Sequence, residues 1–217
     1  MTTDFLALGG AVLLGVAFWI GWCWRAGGGV AKVIVKTGST ALLAAFAYFA
    51  GGPWLLVAAL VLSSAGDAFL ALDGERWLKP GMAAFFLGHV AYIVLFWGLS
   101  VTGGNWLVPV AQTVLALAGV TYARWLSPSL GEMRVPVFAY TGIILGMGVL
   151  ALRLDPQYLL VTLGAMMFVA SDMILALQLF TRPAREAPKL VPSLLVWGLY
   201  FFGQAFIAWG VVHPFAA

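Results

Sequence analysis

Apolar stretches of about twenty residues recur along the whole of this sequence. They fall at residues 5–24, 34–50, 54–72, 81–100, 106–123, 135–152, 157–180 and 191–212, and Gly, Pro or charged residues separate them. An α-helix of about 20 residues crosses roughly 30 Å of hydrocarbon, the thickness of a bilayer core. The pattern therefore predicts an integral membrane protein of the all-α class, a polytopic transmembrane helical bundle with about eight spans.

The composition agrees with this class. Hydrophobic residues make up 63% of the 217 and charged residues only 9%, whereas about 25% of the residues of a soluble domain are charged. The loops between the stretches are too short for a separate soluble domain, so residues 1–217 are predicted to form a single transmembrane domain. The first stretch lacks a basic leader and a small-residue cleavage site, and we expect it to be a span.

The basic residues predict the orientation of the chain. Ten of the 11 lie beside span ends on one side of the predicted bundle: Arg25, Lys32, Lys36, Arg76, Lys79, Arg124, Arg134, Arg182, Arg185 and Lys189. Only Arg153 lies on the other side. By the positive-inside rule the basic side faces the cytoplasm, so both termini are expected on the non-cytoplasmic side of a membrane, which we take to be the bacterial inner membrane. Topology accounts for the net charge of +3, and no nucleic-acid partner is expected.

Spans three and seven contain similar segments. Residues 65–72 read AGDAFLAL and residues 170–177 read ASDMILAL, half a chain apart. Both spans run in the same direction, so the similarity favours a parallel repeat of four helices plus four, as in some transporter folds. Chance similarity between Ala- and Leu-rich helices is the alternative. In either case Asp67 and Asp172 are expected at similar depth, in the inner half of the bilayer.

Three ionisable residues inside spans are the predicted catalytic groups: Asp67, Asp172 and His89. An Asp near the centre of a membrane helix costs about 2.5 to 3.5 kcal/mol on insertion, so a functional role is the default hypothesis. The structural alternative is that each carboxylate only bonds Ser, Thr or a backbone group on a neighbouring helix. His89 lies at about the same depth, and its alternative is an ordinary hydrogen-bonded core histidine.

Five further polar residues are predicted to contact a substrate. Tyr92 follows His89 by nearly one helical turn, and Tyr200 and Gln204 share a face of the last span because they are four residues apart. For Tyr200 and Gln204, a helix–helix hydrogen bond is the alternative. Ser171 adjoins Asp172. Lys36 begins span two and is placed to reach an anionic head group or lipid phosphate, although a plain topological role is its alternative.

Several chemistries find no support in the sequence. It has no Walker loop, no Gly-x-Ser-x-Gly elbow and no zinc-protease His-Glu pair with a second His. The run 64–67, SAGD, lacks the first glycine of the intramembrane aspartyl protease motif. With two His and one Cys in the chain, no metal site and no cofactor are expected.

Taken together, these motifs resemble those of the lysoplasmalogenase-like family, also called the YhhN family, of eight-span membrane proteins. The resemblance rests on Gly66-Asp67 with Leu70, on His89 and Tyr92 after the run 85–88, FFLG, on 168–172, FVASD, and on Tyr200 and Gln204. Lys36 at the start of span two is a lesser match, because Thr37 stands where many members have proline. The order of the motifs on successive spans is more specific than any one of them.

The resemblance implies hydrolysis of the vinyl ether bond of lysoplasmalogens, with a lysophospholipid as substrate and membrane lipids as surroundings. Protonation of the alkene carbon gives an oxocarbenium ion that water captures, so the reaction needs an acid and a nearby anion. Two carboxyl groups in one low-dielectric pocket do not both ionise easily, and Asp67 and Asp172 are expected to divide these roles, with His89 helping to orient the water. A proton-coupled transporter of a small lipid or amphiphile is the alternative function, and a non-catalytic assembly protein is a third.

Overall fold

The computed structural model describes residues 2–27, 29–101, 105–181 and 189–215. Within them eight α-helices follow one another: α1 Thr3–Gly21, α2 Val30–Phe49, α3 Trp54–Ala71, α4 Leu78–Leu99, α5 Leu107–Leu126, α6 Arg134–Ala151, α7 Leu159–Thr181 and α8 Leu190–Val212. Each is long and apolar enough to cross a membrane, in some cases together with an adjoining 3-10 turn. The protein is an integral membrane protein of the all-α class, as its sequence predicted.

The helix boundaries differ from the predicted ones where lysines lie near a span end. Helix α2 begins at Val30, not at residue 34, and therefore contains Lys32 as well as Lys36. The Lys32 ammonium donates to the backbone carbonyls of Arg25 and Gly27, each at 2.9 Å. A lysine can lie within a membrane helix when its flexible stem carries the charge to polar partners, so a charge does not have to mark the end of a span.

The helices pack as hairpins that then associate. Helix α1 packs on α2, α3 on α4 and α7 on α8, while α4 also contacts α6 and α8 also contacts α2. Helix α5 lies at the periphery, mainly against α6. One continuous apolar core joins the hairpins, and its fully buried members include Leu43, Leu56, Phe96, Met147, Phe168 and Ile207.

Small residues allow the helices to approach closely. A Cβ atom built on Gly203 of α8 would lie only 2.8 Å from the carbonyl oxygen of Gly164 on α7. On α4, a Cβ on Gly88 would lie 3.3 Å from the carbonyl oxygen of Ala59 on α3. Such contacts are typical of membrane helices, whose association depends on close van der Waals packing.

Helix α6 continues without interruption from Arg134 to Ala151. It includes Gly142, Gly146 and Gly148, which would suit a broken helix of the kind that lines transporter sites. The continuous helix gives the transporter alternative no support at this position. The parallel repeat of four helices plus four stays a prediction at the level of the overall fold.

One end of the bundle carries most of the charge, and we refer to it as the basic end. It is the end at which α1 finishes and α2 begins, and its described basic residues are Arg25, Lys32, Arg76, Lys79, Arg124, Arg134 and Lys189. Arg182 and Arg185 lie outside the described residues. Arg153 follows α6 at the opposite end. Which end faces the cytoplasm stays a prediction.

Candidate active site

A cavity of about 480 Å³ opens into the bundle from its basic end. Its lining runs from Cys23 and Lys32, near that end, to Asp67, Asp172 and Tyr200 within the bundle. Most of the other lining side chains are apolar, among them Leu70, Phe85, Ile144, Val169 and Leu179. The volume lies in the range of about 300–1,000 Å³ that is usual for small-molecule sites. The structure thus brings both predicted aspartates to one cavity.

Asp67 is held by three side chains from two other helices. Its Oδ1 atom forms an ion pair with the Lys36 ammonium on α2 at 3.2 Å. Its Oδ2 atom accepts hydrogen bonds from the Thr40 hydroxyl at 2.7 Å and from the Tyr200 hydroxyl at 2.6 Å. The residue is only 1% exposed. A buried carboxylate needs such a set of donors to remain ionised, and Lys36 supplies the balancing charge.

Asp172 has different surroundings. Its Oδ2 atom accepts a hydrogen bond from the Tyr140 hydroxyl on α6 at 2.5 Å. Among the described residues, no Lys, Arg or His nitrogen lies within 4.0 Å of its carboxyl group. Each aspartate therefore accepts a hydrogen bond from a tyrosine hydroxyl, but among the described residues only Asp67 has a cationic partner.

His89 lies behind this cavity and is not part of its lining. Its Nδ1 atom is 2.7 Å from the Phe85 carbonyl oxygen, which only accepts, so Nδ1 carries the proton. Its Nε2 atom is buried and has no partner among the described residues. The ring lies between Phe168 and Tyr140, with centroid distances of 4.7 and 5.5 Å. A catalytic role for His89 stays a prediction.

Tyr92 and Gln204 contact each other instead of the cavity. The Tyr92 hydroxyl donates to Gln204 Oε1, and both residues are fully buried. Neither lines the cavity. The bond joins α4 to α8 and so gives Gln204 the helix–helix hydrogen bond that was its stated alternative. Their role in substrate binding stays a prediction without a supporting contact.

Ser171 and Lys36 line the cavity but have partners within the protein. The Ser171 hydroxyl donates to the Val196 carbonyl at 2.9 Å and so joins α7 to α8. Lys36 faces Asp67, and its ammonium also lies 5.9 Å from the centre of the Trp197 ring. The predicted contact of Lys36 with a lipid head group stays a prediction. Of the two described lysines in the lining, Lys32 is nearer the basic end and has no carboxylate partner.

Two members of the site were missed by the sequence analysis. Tyr140 and Thr40 are the hydroxyl donors to Asp172 and Asp67. An uncharged Tyr or Thr inside a span is common and gives no signal by itself. Thr40 lies four residues after Lys36, on the same helical face, and this spacing is the one signal that was present. Among the described residues no group of three His, Cys, Asp or Glu side chains is placed to hold a metal ion.

Comparison with known proteins identifies the family to which the chain belongs. The sequence model of the YhhN family matches residues 31–211, which include Asp67, Asp172 and the residues that hydrogen bond to them. The chain belongs to the YhhN family. The sequence resemblance described above is thereby confirmed.

Curated relatives carry an enzyme name. Proteins named "Lysoplasmalogenase" from Mycobacterium bovis and Mycobacterium tuberculosis are each 30% identical to the chain over 159 residues, covering 69% of this chain and 61% of the relative. "Lysoplasmalogenase TMEM86A" from Bos taurus is 30% identical over 163 residues, covering 71% of this chain and 63% of the relative. The matches thus span less than two thirds of these relatives' own length. No solved structure matches the chain.

Proposed function

We propose that this protein is a hydrolase that cleaves the vinyl ether bond of lysoplasmalogens. The products would be a fatty aldehyde and glycerophosphoethanolamine or glycerophosphocholine. The observation that carries the proposal is that Asp67 and Asp172 line one cavity within the membrane-spanning bundle. Relatives named lysoplasmalogenase support the same reaction.

The shape of the cavity suits a single-chain lysophospholipid. Its apolar lining is fitted to an alkenyl chain, and its basic end is fitted to a phosphate, since Lys32 lies in the lining there. A lipid that enters with its head group at the basic end places the bond beside the glycerol below that end. This is the part of the cavity in which Asp67 and Asp172 lie. We further propose that the bundle functions as one domain in the bacterial inner membrane, with its basic end toward the cytoplasm.

The chemistry needs an acid and an anion, and the cavity offers two carboxyl groups. Protonation of the alkene carbon produces an oxocarbenium ion, which is the same type of ion that glycosidases stabilise with paired carboxylates. One aspartate donates the proton and the other stabilises the cation. Water then attacks the cation, and the resulting hemiacetal collapses to aldehyde and alcohol. No metal or cofactor takes part in this scheme.

The decisive experiment measures aldehyde release by the purified protein in detergent. The substrate is a 1-alkenyl lysophospholipid, and the proteins are the native chain, Asp67→Asn, Asp172→Asn and Glu132→Gln. Glu132 is exposed in the connection between α5 and α6, so its variant loses a carboxylate outside the cavity. We expect release by the native chain and Glu132→Gln, and a loss of at least about 100-fold in both aspartate variants.

A transporter would give a different result. It needs two compartments, so no aldehyde would form in detergent, and the lipid would instead move across the membrane of reconstituted vesicles. Absence of release from the native chain with both ethanolamine and choline head groups would overturn the hydrolase proposal. Full release by a correctly folded double aspartate variant would overturn the aspartate pair.

A further inference from the structure

The two aspartates occupy equivalent positions in the two halves of the bundle. Counted from Trp54 at the start of α3 and from Leu159 at the start of α7, Asp67 and Asp172 stand at the same place in the helix. At 1.5 Å per residue, each is about 20 Å from the start of its helix. Their partners on the preceding helices follow the same rule. Lys36 and Tyr140 stand at the same place counted from the first residues of α2 and α6.

The following helices are matched in the same way. Counted from the first residues of α4 and α8, Tyr92 and Gln204 again stand at the same place. These two side chains hydrogen bond to each other. A contact between equivalent positions is what a two-fold axis between the halves produces. Helix α4 packs on α6, and its counterpart α8 packs on α2, the counterpart of α6. The same two-fold axis relates these two contacts.

The two half-sites differ in the charge of one partner. In the first, Lys36 stands beside Asp67, and in the second, Tyr140 stands at the equivalent place beside Asp172. A lysine brings a positive charge that balances an ionised carboxylate. A tyrosine brings a hydrogen bond but no charge, and an ionised carboxylate without a counter-ion is costly in a low-dielectric interior.

From this juxtaposition we propose that the two carboxyl groups have fixed and different roles: Asp172 is the acid that protonates the substrate, and Asp67 is the permanent anion. Tyr140 and Lys36 are positioning residues that set these roles. The assignment rests on the proposed hydrolase function. It goes further by separating two groups that sequence and depth leave equivalent.

Each step of the reaction then has a named group. Asp172 gives its proton to the alkene carbon that is not bonded to oxygen, the electrons of the double bond form the new C–H bond, and the carbon beside the ether oxygen becomes part of an oxocarbenium ion. Asp67, still paired with Lys36, stabilises that ion. A water oxygen bonds to the cationic carbon and gives a proton to Asp172, which restores the acid. The hemiacetal then breaks its bond to the glycerol oxygen, and its hydroxyl proton ends on the released alcohol.

The test reads protonation directly and needs no substrate. The infrared spectrum of the protein in an ester-free detergent at neutral pH is recorded for the native chain, Asp172→Asn and Glu132→Gln. A protonated carboxylic acid has a C=O stretching band that a carboxylate lacks. We expect the difference spectrum between native protein and Asp172→Asn to contain this band, and the difference between native protein and Glu132→Gln to lack it. A difference spectrum for Asp172→Asn without the band would overturn the assignment.

A second variant keeps the test decisive if Asp172→Asn does not fold. In Tyr140→Phe the acid stays in place but loses its hydrogen bond, so its C=O band should move to higher frequency. A band that does not move would overturn the assignment. In Tyr140→Lys a cation is placed beside Asp172, and the band should disappear. A band that persists in a folded Tyr140→Lys protein would also overturn it.

Activity provides the link to the reaction. If the native chain releases aldehyde, Tyr140→Phe should lower kcat by about 10-fold or more with little change in KM, because the tyrosine acts through the acid and not through binding. Loss of substrate affinity alone would contradict the positioning role. If the native chain releases no aldehyde, the proposed hydrolysis fails, whereas the infrared result on Asp172 still stands or falls by itself.

Discussion

At the scale of single residues, the ion pair between Lys36 and Asp67 is the interaction on which the site most depends. It joins α2 to α3 inside the bundle, and its two side chains are 14% and 1% exposed. Each charge is tolerated there because the other balances it. A buried pair of this kind adds little net stability relative to apolar residues, but the loss of one partner leaves the other charge unbalanced.

We therefore expect Lys36→Met to destabilise the protein by about 3–5 kcal/mol. The free energy of unfolding in mixed detergent micelles measures this, and the double variant Lys36→Met/Asp67→Asn should recover part of the loss. If the effects of the two single substitutions simply add in the double variant, the two side chains do not interact, and the ion pair has no energetic role.

The hydrogen bond between Tyr92 and Gln204 is expected to contribute little to stability and nothing to substrate binding. Tyr92→Phe removes their hydrogen bond without creating a cavity, and such bonds between membrane helices contribute about 0.6 kcal/mol on average. We expect a loss of stability of this size and an unchanged KM, because neither residue lines the cavity. A raised KM in a protein of native stability would instead support the substrate contact that the sequence predicted.

The sequence predicted the ionisable residues of the site but missed two of its uncharged ones. Asp67, Asp172 and Lys36 stand out because an ionisable group in an apolar span is expensive and needs a reason. Tyr140 and Thr40 carry no charge, so their insertion into the membrane costs little free energy. Their presence in a span therefore does not indicate a functional site. Tyr140 becomes visible only when the predicted repeat is extended from the aspartates to the helices that precede them.

At the scale of helices, the α7–α8 hairpin depends on the contact between Gly164 and Gly203. The backbones approach so closely that one added methyl group on Gly203 would meet the Gly164 carbonyl oxygen at 2.8 Å and the Met167 Cβ at 3.2 Å. Helix α8 also supplies Tyr200 to Asp67. A change in the distance between α7 and α8 therefore reaches the site.

Gly203→Ala is expected to destabilise the protein by about 1–3 kcal/mol, because overpacking forces the helices apart. The matched control is Gly142→Ala on α6, where an added Cβ would meet nothing within 4 Å. Alanine favours a helix over glycine by about 1 kcal/mol, so this control should be neutral or slightly more stable. Thermal unfolding in detergent compares the two variants. Equal Tm values would mean that the α7–α8 contact tolerates a methyl group.

The number and order of the helices followed from the sequence because each span needs a fixed length of apolar residues. The exact start of α2 did not, because Lys32 was placed outside the predicted span 34–50 and Lys36 at its beginning. Both are accommodated within the helix, one by backbone carbonyls and the other by Asp67. A charge in a membrane helix is predictable from its neighbours in space, which a single sequence does not give.

At the scale of the whole molecule, the basic end and the mouth of the cavity coincide. Lys32 belongs to both, and the carboxyl groups lie further in, toward the middle of the bundle. The sequence anticipated the uneven distribution of charge, and it placed both aspartates in the same half of the membrane. Depth alone could not predict that Asp67 has a cationic partner and Asp172 an uncharged one. That difference depends on which side chain of the preceding helix contacts each carboxyl group.

The orientation of this basic end can be measured with two engineered cysteines. In a Cys23→Ser background, Asn105→Cys and Ser129→Cys place single thiols at exposed positions on opposite ends of α5. Ser129 lies at the basic end. If that end faces the cytoplasm, as the positive-inside rule requires, a membrane-impermeant maleimide added to intact bacterial spheroplasts will label Asn105→Cys and not Ser129→Cys.

Lysis of the spheroplasts before labelling controls for reactivity, since both thiols should then be modified. The reverse pattern in intact spheroplasts would place the basic end and the mouth of the cavity on the outer face of the membrane. The lipid would then have to enter from the outer leaflet, because a head group beside Lys32 can belong only to the leaflet that the mouth of the cavity faces. The same pair of variants therefore decides both the topology of the chain and the leaflet that supplies its substrate.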